Sequence, residues 1–186
     1  GNCVSNTGMF GAQRAAWVSE MRRCKAQMDT ALAQLSDDQF RTRLTPGTNS
    51  CALIVKHVAG NMKSRWTDWL TSDGEKPDRN RDDEFEGRGE ARAEIMRRSE
   101  EGWSLVFTAL EGLTEADMGR TVRIRSQPHS VPDAVERQIA HYGYHSGQIQ
   151  LIARIVHGEP GWKWSSIAPG GSVRFNQEMA TKFRGS

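Results

Sequence analysis

The sequence predicts an all-α protein: a four-helix bundle with a long loop between its second and third helices and a short strand or hairpin before its fourth. Three observations carry that prediction. Apolar residues recur at spacings of three and four over four long segments, as in helices with one buried face. No internal repeat occurs, and strands do not alternate with helices as they do around a parallel sheet. Finally, 186 residues suit one core, and six Trp, six Phe and seven Met can close it despite a hydrophobic fraction of 37%.

The elements follow in chain order. Residues 1–10 are polar and Gly-rich and read as a flexible N-terminus, leaving 11–186 as a single domain. From about Ala12 to Leu35, Trp17, Val18, Met21, Cys24, Met28, Ala31, Leu32 and Leu35 form one apolar helical face. Pro46 and Gly47 interrupt the chain, and the Ser50 hydroxyl can cap a second helix running from about Cys51 to Leu70. Residues 71–89 then combine Gly, Pro and dense charge with only Phe85 to bury, a length expected of a disordered or functional loop.

A third helix is expected from about Glu90 to Leu110, burying Ile95, Trp103, Val106, Phe107 and Leu110, with Gly112 placed to end it. Between Gly119 and Val131 apolar and basic residues alternate and then turn, which predicts the strand or hairpin. The fourth helix should start at Pro132 or Asp133 and end at His157, with Gly158 as a left-handed cap. In the Pro- and Gly-containing tail, one helical turn is expected near Phe175 to Met179.

Charge and cysteine usage narrow the function classes. The 25 basic and 23 acidic side chains nearly cancel and form no long block, so neither nucleic acid nor a membrane surface is the expected partner. Arg120, Arg123 and Arg125 alternate like the solvated face of a strand. Three cysteines form no CxxC pair, no signal-peptide pattern opens the chain and no apolar run has membrane-spanning length, so a soluble cytoplasmic protein is expected.

His141 and His145 lie in the fourth predicted helix, separated by about 400° of rotation and so about 40° apart on one face. With them Gln138, Gln148, Ile152 and Ile155 step by three and four, which turns the histidines toward the core. Paired buried imidazoles need partners for their nitrogens. Neighbouring glutamines, tyrosines or carbonyls satisfy that need in one reading, and a metal ion in the other. A metal requires a third ligand from elsewhere. His129 falls in the hairpin and His157 at a helix end, where it can meet free carbonyls. His57 lies in the second predicted helix, off the apolar arc of Val55, Val58, Met62, Trp66 and Trp69 and beside Asn61, Ser64 and Asp68, which suits either a solvated face or the wall of a polar pocket; spacing alone leans slightly toward solvent. Cys51 points about 120° away from His57 and reads as a packed thiol.

The segments HVAGNMKSRWTDWLTSDGEKPDRNRDDEF, QIAHYGYHSGQIQLIARIVHG and SSIAPGGSVRFN resemble the DinB and YfiT-like metalloproteins, in particular a bacterial subgroup defined as a domain of unknown function. The resemblance runs from about residue 15 to 178. It implies an up-down-down-up bundle, a metal triad of His57, His141 and His145, a divalent ion (nickel or zinc) with water completing its shell, and a homodimer. Several relatives are S-transferases or isomerases using glutathione, mycothiol or bacillithiol, although the subgroup implies no reaction.

The expected activity is therefore a metal-dependent transfer to a low-molecular-weight thiol, or hydrolysis, on a small-molecule substrate. The alternative is a non-catalytic metal-binding or dimerisation bundle. Asn61, Tyr144 and Gln148, each about one turn from a ligand, are candidates to orient ligand or substrate. Arg79 and Arg81 are candidates to clamp a carboxylate. The tail is expected to serve as a lid or a dimer contact.

Overall fold

The computed structural model describes residues 6–184. Helix α1 (Asn6–Leu32) starts within the stretch set aside as a flexible N-terminus, whose residues 1–5 lie outside the described part. It buries Trp17, Met21, Met28, Ala31 and Leu32. A five-residue helix that periodicity could not register, α2 (Asp37–Arg41), follows and inserts Phe40 into the core. It is held by a capping box: Ser36 Oγ accepts from the Gln39 amide at 3.2 Å, and Gln39 Oε1 accepts from the Ser36 amide at 2.9 Å.

Ser50 caps α3 (Cys51–Trp66) by accepting from the Leu53 amide. Helix α4 (Arg92–Glu111) ends at Gly112, which is right-handed. The hairpin joins β1 (Thr121–Ile124) to β2 (Gln127–Ser130) in antiparallel register, with Thr121 opposite Ser130. Helix α5 (Val131–His157) opens on a Ser130 cap with Pro132 in its first turn. Gly158 has φ 87° but ψ 164°, so it leaves the helix in an extended direction and is not the expected left-handed cap. The tail forms more than one turn: α6 (Ser172–Lys182) is an 11-residue helix.

Side-chain contacts fix the directions of the four long helices. Trp17 Nε1 donates to Glu136 Oε1, while Gln39, beyond the other end of α1, donates to the Val156 carbonyl; α1 and α5 therefore run parallel. Leu53 and Ile95 line one cavity and Met62 packs on Gly102, so α3 and α4 are also parallel to each other. Cys51 lies against the Ile149 carbonyl and Trp66 against Tyr142, so α3 and α5 are antiparallel. The result is an up-down-down-up four-helix bundle with a hairpin at one end.

That topology explains the long loop. Parallel α3 and α4 oblige the chain to travel back along α3, about 24 Å for 16 residues, before α4 can start. Residues 67–91 make this journey lying on α3, and Ser64 fastens them: its hydroxyl donates to the Gly74 carbonyl and accepts from the Lys76 amide. At the far end buried Lys56 meets Glu90, Asp83 and the Glu86 carbonyl. The loop also grips the hairpin through Asp73. Its carboxylate accepts from the amides of Glu75, Arg125 and Ser126, the last two being the turn residues, both with positive φ.

Because the loop covers its outer side, α3 is buried from Cys51 through Ala59 without interruption. Of the two places the helical wheel left open for His57, the slightly favoured solvated face is corrected and the wall of a polar pocket is the one found: His57 is 4% exposed and lines a polar cavity. On α5 the buried stripe is also displaced. Its centre is Val135, Tyr142, Ile149 and Ala153, His145 lies at its margin, and Ile155 is 53% exposed.

Candidate metal centre

Helices α3 and α5 bring His57, His141 and His145 together, one potential ligand atom from each lying within 4.8 Å of the others. The closest pair is His141 Nε2 and His145 Nε2, at 3.0 Å. His129 and His157 lie elsewhere: His129 Nδ1 pairs with Asp133, and His157 Nδ1 with the Gly158 carbonyl. Cys51 is fully buried in the core.

The outer nitrogens of two imidazoles are tied. His57 Nδ1 is 2.8 Å from Glu84 Oε2, and His145 Nδ1 is 2.8 Å from Gln148 Oε1. Each Nδ1 donating its proton outward leaves Nε2 with a lone pair on the shared space, the tautomer a metal ligand requires. Burial, then the neighbouring His145 and His57, pushes His141 down to about 3. Burial also lowers His145, against the opposing Gln148 hydrogen bond. Both rings are thus neutral at pH 7.

Three imidazoles of this spacing fit a divalent cation, because nitrogen ligands about 2.0–2.1 Å from zinc stand roughly 3.4 Å apart in a tetrahedral shell. A carboxylate behind one imidazole is the usual support of such ligands.

Glu84 was not singled out from sequence, since the run RDDEF offers several carboxylates and no periodicity to choose among them. It is the last link of a chain fixed by the loop. Arg79 grips it through Nε to Oε1 at 2.8 Å and Nη2 to Oε2 at 2.9 Å, and also reaches Glu75. Burial opposes ionisation of Glu84, but the hydrogen bonds from His57 and Arg79 outweigh it and hold the carboxyl below its ordinary range. Gly60 makes the approach feasible: a Cβ there would overlap the Glu84 carboxylate. Next to Glu84, the Phe85 ring stacks on His57 at 4.7 Å, and Arg81 lies over the other ring system of that stack, 5.1 Å from the Phe85 centroid.

The remaining candidates divide. Asn61 is buried, accepts from the Tyr142 hydroxyl and lines the cavity beside the histidines. Tyr142, which in turn accepts from Trp66 Nε1, ties α3 to α5 next to the centre. Gln148 orients His145 and donates to the hydroxyl of Tyr144, which is 64% exposed. Arg79 contacts Glu84 and Glu75 instead of standing free as a clamp, whereas Arg81 is exposed at the cavity rim. The cavity, about 220 Å³, is lined by His57, Asn61, His141 and Gln138 together with arginines. No described tail residue lines it. The tail packs instead near the opposite end of α5, where Lys163 bonds Gln34 and Ser165 bonds Gln150.

No curated protein sequence matches the chain. Among solved structures it is similar to YfiT from Bacillus subtilis, described as a probable metal-dependent hydrolase with an unusual four-helix bundle topology. The two share 17% identity and a TM-score of 0.64, over 82% of this chain and 90% of that one. The model of the family described as "Protein of unknown function (DUF1572)" matches residues 13–171. The chain therefore belongs to the DUF1572 family and shares the four-helix-bundle fold of YfiT.

Proposed function

We propose that this chain is a divalent-metal-dependent enzyme that activates a small protic nucleophile, either water for hydrolysis or a low-molecular-weight thiol for S-transfer. The observation that carries the reading is the gathering of three imidazoles within 4.8 Å beside an open cavity. His57, His141 and His145 would hold the ion, zinc or nickel by the softness of a nitrogen donor set. When bound, a divalent cation lowers the pKa of water or thiol and polarises a substrate oxygen.

The chain's own residues prepare that chemistry. Glu84 and Gln148 hold two ligand rings in register, and Arg79 keeps Glu84 ionised. Phe85 covers one side of His57 and excludes water from it. Asn61 and Gln138 present amide groups to the cavity for orienting a substrate.

The resemblance to DinB-like proteins also supports a homodimer in the cytoplasm, with the exposed Leu151 and Ile155 of α5 available to the second copy. YfiT, with its description as a probable hydrolase, favours water over thiol.

The test is activity of zinc- and nickel-loaded protein on ester, amide and epoxide probes, with and without glutathione, bacillithiol or mycothiol. Turnover that disappears on chelation and returns with the ion supports the enzyme. A tightly bound ion with no turnover on any probe, and no exchangeable water by relaxation measurements, supports a non-catalytic metal module instead.

A further inference from the structure

Among the described residues, the cavity over the histidines is lined by five arginines, Arg65, Arg79, Arg81, Arg125 and Arg137, and by no carboxylate. They come from four separate parts of the fold: α3, the long loop, the hairpin turn, and the first turns of α5. No periodicity brings them together. Nearby negative charge is short of what they need. Glu75 alone pairs with Arg65, Arg79 and Arg125, at 2.8, 3.2 and 3.3 Å, and Glu84 is taken by Arg79 and His57. Among the described residues, Arg81 and Arg137 have no acidic partner; Arg81 rests on Phe85.

A cavity of about 220 Å³ with unpaired guanidinium groups at its rim is poorly suited to a neutral ligand. A cation bound by the histidines would make it more positive still. The second observation is Gln138. It is 4% exposed, lines the same cavity, and its Oε1 has no hydrogen-bond partner. Buried amide oxygens are rarely left so, and this one asks for a donor from the occupant.

We propose that the substrate of this centre is a small oxyanion, a carboxylate or phosphate ester, held by Arg81 and Arg137, with a hydroxyl, amine or thiol hydrogen directed at Gln138. Arg65, Arg79 and Arg125 supply background charge while remaining tied to the loop. This inference rests on the proposed enzymatic reading of the histidine site and specifies its substrate class.

Binding, measured apart from activity, tests it. Metal-stripped and zinc-loaded protein would each be titrated at low ionic strength with succinate, with inorganic phosphate and with neutral succinamide, by calorimetry and by amide chemical shifts. The expected result is saturable binding of one or both anions to both protein forms, none of succinamide, and at least roughly tenfold weaker binding in the Arg81→Gln/Arg137→Gln double variant. Both side chains are exposed, so the variant should fold; Arg97→Gln, on the exposed side of α4, is the control expected to bind as wild type. The preferred anion separates a carboxylate from a phosphate substrate.

Equal binding of succinamide, absence of anion binding, or affinity unchanged in the double variant would overturn the proposal. Anion binding confined to zinc-loaded protein and indifferent to the double variant would assign the anion to the metal and also overturn it. Failure of the histidines to take up zinc, with anion binding to the stripped protein intact, would instead count against the enzymatic reading alone.

Discussion

Glu84→Gln separates a supported ligand from three histidines that merely pack. The substitution keeps size and one acceptor oxygen, so His57 Nδ1 retains a neutral partner, but Arg79 loses the bidentate carboxylate whose contacts are 2.8 and 2.9 Å. The Arg79 side chain is 4% exposed, and stripping the partner from a buried charge costs about 3–5 kcal/mol. Glu75 still touches Arg79 at 3.2 Å and the new amide oxygen still accepts, which brings the expected loss of apoprotein stability to about 1–3 kcal/mol. Metal affinity should fall by about 10- to 100-fold, because the group behind a ligand sets its basicity and orientation. Urea unfolding of stripped protein reads the first quantity, and competition of zinc against a fluorescent chelator reads the second. A zinc affinity within about twofold of wild type would refute the role given to Glu84.

Four further outcomes are expected. Gly60→Ala should weaken zinc binding in the same direction, since its Cβ displaces the Glu84 carboxylate, and unchanged affinity would contradict the close approach. Tyr142→Phe should lower stability by about 2–3 kcal/mol, because the Trp66 N–H and the Asn61 carbonyl both lose a buried partner; urea unfolding reads it, and a loss below about 0.5 kcal/mol would argue against the network. Burial pushes the Cys51 thiol up to about 12, so iodoacetamide at pH 8 should label it only after unfolding; rapid native labelling, located by peptide mass, would contradict that. For Asp73, desolvation raises the pKa, but three backbone N–H groups together outweigh it and hold the carboxyl below the ordinary value. A depressed folded pKa gives stability that is present above the unfolded pKa and lost as pH falls through the folded one, so the loop-hairpin contact should loosen only in acid below the usual aspartate range. NMR titration of Asp73 at or above about 3.9 would contradict it.

The legible parts of this fold are those whose signal is local. Trp17 to Leu32, the Ser50 cap and the alternation at Thr121 to Ile124 each announce an element within a few residues. The capping box Ser36-x-x-Gln39 was available as a signal for α2, yet one turn carries too little periodicity to call a helix from it. The pairing of His141 with His145 follows from helix geometry alone. Its inclusion of His57 does not, since the wheel cannot know that loop 67–91 lies over the outside of α3 and buries what would otherwise be a wet face. Glu84, and the meeting of Arg65, Arg125 and Arg137 with the loop residues Arg79 and Arg81, were hidden for the same reason: these contacts are long-range and set by the return path that parallel α3 and α4 impose. Resemblance supplied His57 where periodicity could not.

The central claim is that these three histidines share one divalent ion. Elemental analysis of protein purified without a nickel column, before and after incubation with zinc or nickel, tests it most directly across wild type, His57→Ala, His141→Ala, His145→Ala and His157→Ala. Wild type and His157→Ala should carry about one ion per chain, and the other three variants, still folded by circular dichroism, should retain almost none. Wild-type protein below about 0.2 ion per chain after loading, or a His57→Ala variant that loads fully, would contradict it.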